Sequence, residues 1–207
     1  MRNLVIFGSG GFSREVLIVV KAMNKFNFIG FLDENTEHHG KKINEFPVLG
    51  GTEWLESNPD SEVVVAIGDP IIREKIVNKL ESYSVKFATL VHPTALLGDD
   101  VKIGNGTIIT SYCVLTSNIT IGKHVIVNLC STIGHDSIIE DYVTISPQCA
   151  ISGENHIERY SYLGSGVHTI QQIRIGERSI IGAQAAVVKD IESNTTAVGV
   201  PARPIKR

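Results

Sequence analysis

Ile121-Gly122-Lys123-His124-Val125-Ile126-Val127-Asn128-Leu129-Cys130-Ser131-Thr132-Ile133-Gly134-His135-Asp136-Ser137-Ile138-Ile139 carries an aliphatic residue at every sixth position. The spacing runs outward to Val91 on one side and Val187 on the other. The series is Val91, Leu97, Ile103, Ile109, Leu115, Ile121, Val127, Ile133, Ile139, Ile145, Ile151, Ile157, Leu163, Thr169, Ile175, Ile181 and Val187, in which Thr169 alone departs and no insertion breaks the count. A helix repeats every 3.6 residues and a strand every 2, so neither produces this. A strict hexapeptide period is the signature of a parallel β-helix. The fourth residue after each aliphatic is small or β-branched in most turns, as at Thr107, Cys113, Val125, Ser131, Ser137 and Cys149. Glycine often follows the aliphatic directly, as at Gly98, Gly104, Gly122, Gly134, Gly164, Gly176 and Gly182. The pattern predicts a triangular prism in which the large aliphatic fills the interior, the small residue fits beside it, and a tight corner favours glycine. Three hexads close one coil, so Leu115, Ile133 and Ile151 stack, with coils ~4.8 Å apart.

The first part of the chain, residues 1–86, has a different grammar. Asn3–Gly8 is a short apolar run ending in glycine, Ser13 to about Met23 is amphipathic with Ser13 as the expected N-cap, and Phe26–Asp33 is strand-like. Val63-Val64-Val65-Ala66-Ile67 suits a buried parallel strand, and Pro70–Ser82 has helical spacing. Strands alternating with helices predict a Rossmann-like parallel sheet, followed over 87–207 by the β-helix and a short tail.

The chain has 207 residues, 43% hydrophobic content and a net charge of −3. A basic stripe is what a nucleic-acid partner would need, so none is expected. No apolar stretch approaches the ~20 residues that span a bilayer, so membrane insertion is not expected. The opening Met1-Arg2-Asn3-Leu4 lacks a cleavage pattern, so no signal peptide is expected. Cys113, Cys130 and Cys149 are three in number with no C-x-x-C spacing. That argues for free thiols in a reducing cytoplasm and against a disulfide framework or a zinc site.

The hexads resemble the hexapeptide-repeat acyltransferases, whose repeat builds a left-handed parallel β-helix. Five further stretches resemble one subfamily, the bacterial acetyltransferases of nucleotide-linked amino sugars or sialic acid. They are Gly8-Ser9-Gly10-Gly11-Phe12-Ser13-Arg14-Glu15-Val16, Phe31-Leu32-Asp33-Glu34, Ile67-Gly68-Asp69, Gly134-His135-Asp136 and Gly199-Val200-Pro201-Ala202-Arg203. The resemblance covers essentially the whole chain. It implies acetyl-CoA as co-substrate, no metal, a homotrimer with acyl-donor sites between prisms, and a glycan or O-antigen precursor as product.

Gly8-x-Gly10-x-x-Ser13 lies between a strand and a helix start, where backbone N–H groups and the helix dipole suit a diphosphate. Serine in the third glycine position makes it an imperfect dinucleotide fingerprint. Asp33 and Glu34 follow at the end of the second strand, where an acid can hold a ribose hydroxyl. In the family resembled, this region binds the uridine or thymidine nucleotide of the acceptor, so Gly8, Ser9, Gly10, Gly11, Phe12, Asp33, Glu34 and Gly68 are the expected substrate contacts.

Of seven histidines, His38 and His39 read as solvated, His92 as structural, and His124, His156 and His168 as surface or packing residues. The resemblance assigns His135 as the catalytic base. An attacking amine or hydroxyl must lose a proton as the tetrahedral centre forms at the thioester, and imidazole accepts it near neutral pH. Asp136 is the candidate to fix its tautomer. Asn128 is a candidate to orient the sugar and the Gly153 N–H to meet the oxyanion. Thr144, Ser165, Gly182 and Ala183 are expected along the pantetheine arm, with Lys189, Arg203, Lys206 and Arg207 available to the phosphates.

Acetylation of a sugar amine is the favoured reading, and O-acetylation of sialic acid would use the same histidine. Zinc hydratases share the prism but need histidines five positions apart, a spacing absent downstream of His92. A dehydrogenase leaves the hexads unexplained. A non-enzymatic nucleotide-sugar-binding scaffold leaves His135 beside an acid unexplained.

Overall fold

A computed structural model describes residues 1–205, so Lys206 and Arg207 lie outside the described residues. The chain divides into two compact units, Met1–Leu90 and Val91–Arg207. In the first, strands β1 (Arg2–Phe7), β2 (Phe26–Leu32), β3 (Lys42–Ile43), β4 (Phe46–Gly50), β5 (Glu62–Val65) and β6 (Lys86–Phe87) form one sheet in the order β3-β4-β2-β1-β5-β6. All pairs are parallel except β3 with β4. The continuous apolar runs fit their burial: Leu4, Val5, Ile6, Val63 and Val64 are fully enclosed. The unit runs past residue 86 because β6 pairs Phe87 with Val63 in this sheet.

Helix α1 spans Gly11–Met23 and α2 spans Pro70–Glu81. Asp69 caps α2 by accepting from the Ile71 and Ile72 N–H groups at 2.9 Å each, and Pro70 opens it, where no N–H is needed. The expected Ser13 cap is corrected. Gly10 is the N-cap, and Ser13 is wholly buried with its hydroxyl 3.5 Å from the Ala66 carbonyl. The side chain there closes the gap between helix and sheet that glycine closes in the full fingerprint. The β3–β4 hairpin was not anticipated from the sequence, because its strands are short and include a proline.

The second unit is a left-handed parallel β-helix. Each hexad aliphatic is the second residue of a two-residue strand. Strands stack in register across a coil, as Thr132 and Ile133 do between Val114–Leu115 and Ala150–Ile151. Ile109, Leu115, Ile133, Ile145, Leu163 and Ile181 are fully buried in one continuous core. Burying each such side chain contributes ~1.5–3 kcal/mol, and truncating Ile133 to alanine should cost ~2–5 kcal/mol.

The corners are built differently from the expectation. From Leu97 to Ile181 the left-handed conformation falls on the third residue after each interior residue, and most of these are not glycine: Asn118, His124, Cys130, Asp136, Tyr142 and Glu154 have φ between 53° and 59°. This geometry aims the residue's N–H down the prism axis at the preceding coil, as Asp136 N–H to Ser117 O at 3.0 Å and Glu154 N–H to His135 O at 2.7 Å. Those bonds offset the strain of a side chain at positive φ, ~1–2 kcal/mol each. The glycines directly after the aliphatics serve close approach instead. A Cβ at Gly134 would sit 2.5 Å from the Gly153 N, and one at Gly164 2.7 Å from the Ala183 N. The buried hydroxyls beside the core link the coils: Ser131 donates to Ser146 O at 3.0 Å and accepts from Cys149 N–H at 3.2 Å. At the far end Thr196–Val198 adds in parallel, and Arg203–Ile205 then pairs with it antiparallel.

Candidate active site

His135 and Asp136 occupy one prism corner, each about half exposed. The left-handed turn at Asp136 brings the two side chains together, with His135 Nδ1 2.7 Å from Asp136 Oδ2. A carboxylate only accepts, so Nδ1 carries the proton and Nε2 keeps its lone pair. Asn118, one coil below, donates to Asp136 Oδ1 at 3.0 Å. The hydrogen bonds from His135 and Asn118 hold the Asp136 carboxyl below the usual carboxylate range. The imidazole lies over Gly153, where a Cβ would meet Nε2 at 2.6 Å.

The Gly153 N–H has no acceptor among the described residues. Its equivalents on another corner show which way such a group points. Lys123, Arg159 and Glu177 donate their N–H groups to the outward carboxylates of Asp141, Glu140 and Glu158 at 2.7, 3.1 and 2.8 Å. At those residues this backbone position presents a donor to a carboxylate outside the prism, and Gly153 holds the equivalent position against the His135 ring.

The other expected residues of this unit stand elsewhere. Asn128, Ser165, Gly182 and Ala183 lie on the corner that follows the strands Ile126–Val127, Tyr162–Leu163 and Ile180–Ile181, while His135 and Gly153 follow Thr132–Ile133 and Ala150–Ile151. Asn128 Oδ1 accepts from its neighbour Leu129 N–H at 2.8 Å. Thr144 is buried in the strand paired with Tyr162. Lys189 and Arg203 line a cavity of about 350 Å³ together with Asp190 and Glu192. One prism thus brings His135, Asp136 and Gly153 together and keeps the expected pantetheine contacts on a different edge.

In the first unit, Gly8, Ser9, Gly10, Gly11, Phe12, Asp33, Glu34 and Gly68 line one cavity of about 440 Å³. It opens at the carboxyl ends of β1 and β5, where the strand order reverses and ligands of such sheets bind. Gly8 has φ +111°, and nothing lies within 4 Å of where a Cβ would stand on Gly10 or Gly68, so the floor is bare backbone at the start of α1. His38, read from the sequence as solvated, is 42% exposed but also bonds within this cavity. Ser9 donates to Asp33 and accepts from His38 Nδ1 at 2.7 Å, while His39 Nε2 donates to the Asp33 carbonyl at 2.7 Å. The signal in the sequence was faint, since the turn Thr36–His38, capped by Asn35, folds these rings back. Burial pushes the Asp33 carboxyl up, but the bonds from Ser9 and the Asn35 N–H and the nearness of His38 bring it below its ordinary value. Glu34 reaches Lys79 at 2.6 Å. Arg73, fully buried, clamps the cavity wall by donating to the Ile67 and Gly68 carbonyls at 2.6 and 3.1 Å.

The remaining histidines have separate settings. His124 stacks on Tyr142 and Tyr142 on Tyr160 along another corner, and His156 meets Glu140 at 2.7 Å. Among the described residues no group of three or more His, Cys, Asp or Glu side chains is placed to hold a metal ion, and no helix is long and apolar enough to cross a membrane.

Residues 3–80 match the family described as the PglD N-terminal domain. GDP-perosamine N-acetyltransferase of Escherichia coli is 32% identical over 214 residues, covering 98% of this chain and 96% of that protein. UDP-N-acetylbacillosamine N-acetyltransferase of Bacillus subtilis is 33% identical over 53% of this chain and 51% of its own. The acetyltransferase domain of PglB from Neisseria gonorrhoeae matches with a TM-score of 0.92 at 30% identity, over 99% of this chain and 100% of that one. Perosamine N-acetyltransferase from Caulobacter crescentus, solved as a His-to-Asn variant with CoA and GDP-perosamine, matches with a TM-score of 0.93 at 25% identity, over 99% and 97%. With the Escherichia coli relative and both solved structures spanning the two units, the chain belongs to the family of hexapeptide-repeat sugar N-acetyltransferases that carry a PglD-type N-terminal domain.

Proposed function

We propose that the protein transfers an acetyl group from acetyl-CoA directly to the amino group of a nucleotide-linked amino sugar. The observation that carries this reading is the His135–Asp136 pair at 2.7 Å against Gly153, whose N–H has no acceptor among the described residues. The amine attacks the thioester carbonyl and gives its proton to His135 Nε2, with Asp136 stabilising the imidazolium. The Gly153 N–H meets the oxyanion as the tetrahedral centre forms. Collapse of that centre releases the CoA thiolate, which takes the proton from His135. The glycine-floored cavity of the first unit accepts the nucleotide, with the diphosphate at the start of α1 and Asp33 toward the ribose or base. Relatives named for GDP- and UDP-linked sugars widen the expected bases beyond uridine and thymidine.

The working form is a homotrimer. The expected pantetheine contacts at Ser165, Gly182 and Ala183 stand on a different corner from Gly153, so a donor touching both sets must lie between two prisms. Three free cysteines support a reducing cytoplasm. The test is thiol release from acetyl-CoA across GDP-, UDP-, dTDP- and CMP-linked amino sugars, with sialic acid as the hydroxyl acceptor. Turnover with an amino sugar alone supports the reading, and turnover with sialic acid alone refutes it. Sedimentation of a fully active monomer refutes the trimer.

A further inference from the structure

Two departures from the hexad pattern converge on one peptide. Thr169 is the single non-aliphatic residue of the interior series. Asn155 holds a place that serine, cysteine or valine takes at Ser131, Cys149, Val143 and Ser161. Both bond Ser152, the residue that precedes Gly153: Thr169 at its N–H and hydroxyl, Asn155 at its carbonyl.

The N–H after each interior residue bonds a carbonyl in the next coil, as Gly134 N–H does to Ile151 O at 2.8 Å and Ser146 N–H to Leu163 O at 2.9 Å. At Ser152 this bond goes to the Thr169 hydroxyl instead, at 3.1 Å, while the Ser152 hydroxyl donates to Thr169 O at 2.7 Å. The strand register shows the same break. Ala150 pairs with His168, but Ile151 has no ladder partner at Thr169, whereas neighbouring strands pair both residues.

Asn155 is almost wholly buried. Its amide donates to Ser152 O at 2.8 Å, Ile170 O at 2.9 Å and Gly153 O at 3.2 Å. Its own Oδ1 is buried with no partner among the described residues. A buried acceptor left unpaired is unfavourable, and a serine at this place would avoid it. Rule-breaking of this kind is characteristic of functional sites.

The geometry links the two departures to chemistry. In a trans peptide the carbonyl and the N–H point opposite ways. The Ser137 hydroxyl holds Ser152 O inward at 3.3 Å, as serines do in neighbouring coils, which leaves the Gly153 N–H facing outward; the shorter Asn155 bond and the Thr169 bond at the other side of Ser152 add a constraint on its exact aim that the other coils lack. A Cβ at Gly134 would lie 2.5 Å from this nitrogen, so glycine there keeps its approach clear. We propose that Thr169 and Asn155 are positioning residues for acyl transfer, which together set the aim of the Gly153 N–H. This rests on the reading of Gly153 as the oxyanion donor.

Thr169→Val and Asn155→Ser return the coil to the pattern of its neighbours and are made in the full chain. A whole oxyanion donor is worth ~10²–10³ in kcat. Each variant should therefore lose about 10–100-fold in kcat, as a misaligned donor keeps part of its effect. KM for both substrates should stay within about twofold, since ground-state binding is unaltered, and Tm should hold or rise. The Gly153 amide resonance should move in both. Wild-type kcat in both variants overturns the proposal whether or not the resonance moves, as does a fall in kcat that merely tracks a fall in Tm. If Asn155→Ser fails to fold, Asn155→Val replaces it, since Val125, Val143 and Val167 fill the same column. His135→Ala separates the two readings: full turnover in that variant refutes the active site, while kcat and the Gly153 resonance together still decide Thr169 and Asn155.

Discussion

Replacing Gly153 with alanine tests the catalytic geometry without touching a catalytic side chain. The new Cβ would stand 2.6 Å from His135 Nε2, 2.7 Å from Cε1 and 3.0 Å from Cδ2, against an ordinary contact that begins near 3.4 Å. The backbone at Gly153 has no positive φ, so alanine is tolerated there, and the atoms it meets belong to a half-exposed ring that can swing away. The ring must retreat by about 0.8 Å, and misplacement on the order of 1 Å costs ~10²-fold in rate. We expect kcat to fall by about 10²-fold with little change in Tm. Gly134→Ala is the contrasting control: its Cβ would meet backbone, 2.5 Å from Gly153 N, where nothing flexible yields. That variant should lose ~1–3 kcal/mol of stability. Steady-state thiol release and thermal melting, run side by side, separate the two outcomes. Turnover within twofold of wild type in Gly153→Ala refutes the pose of His135 over Gly153 as the reactive one.

Replacing His135 with alanine should lower kcat ~10²–10⁴-fold with an unchanged melting curve, and near-normal turnover would move the base to another group. For the nucleotide cavity, Asp33 is held below its ordinary value, so its contribution is fully present above the unfolded pKa of ~3.9 and is lost only as pH falls through the lower folded value. Calorimetric titration with GDP and UDP should thus give affinities that Asp33 leaves level from pH 8 to 5. An apparent pKa above 5 that vanishes in Asp33→Asn would contradict this. Tight NAD binding with no response to GDP, UDP, dTDP or CMP would overturn the nucleotide-sugar assignment. Burial pushes the Cys149 thiol up to about 11 and raises that of Cys113, so iodoacetamide at pH 8 should label the exposed Cys130 and spare both until the protein unfolds. Mass spectrometry of native and denatured samples checks it.

The period of six was legible because the interior of a prism selects bulk strictly, and the β/α unit because buried parallel strands read as unbroken apolar runs. The corners were misread, since glycine has two distinct uses. Gly134 is there for the backbone of the next coil passing above it, while the left-handed turn falls on Asp136, a residue whose hydrogen bond to the coil below no sequence pattern displays. Motif position singled out His135, Asp136 and Gly153, and the fold brings the three together. Their isolation from Ser165 and Ala183 was not legible, because corner membership emerges only when hexads are counted in threes. His38 was missed for a related reason: its partners Ser9 and Asp33 are remote in sequence and meet only when β1 and β2 pair.

The reversal of direction at Arg203–Ile205 bears on how a repeating coil is kept finite. A stack of parallel strands presents at its last rung an edge that matches its own first rung, which invites copies to join end to end. Here, on one of the three faces, that rung is occupied by a strand running the other way. It also contains Pro204, which has no N–H to offer. A second molecule approaching this end meets neither the right polarity nor a full set of donors. Addition of a second copy on this face is thereby disfavoured.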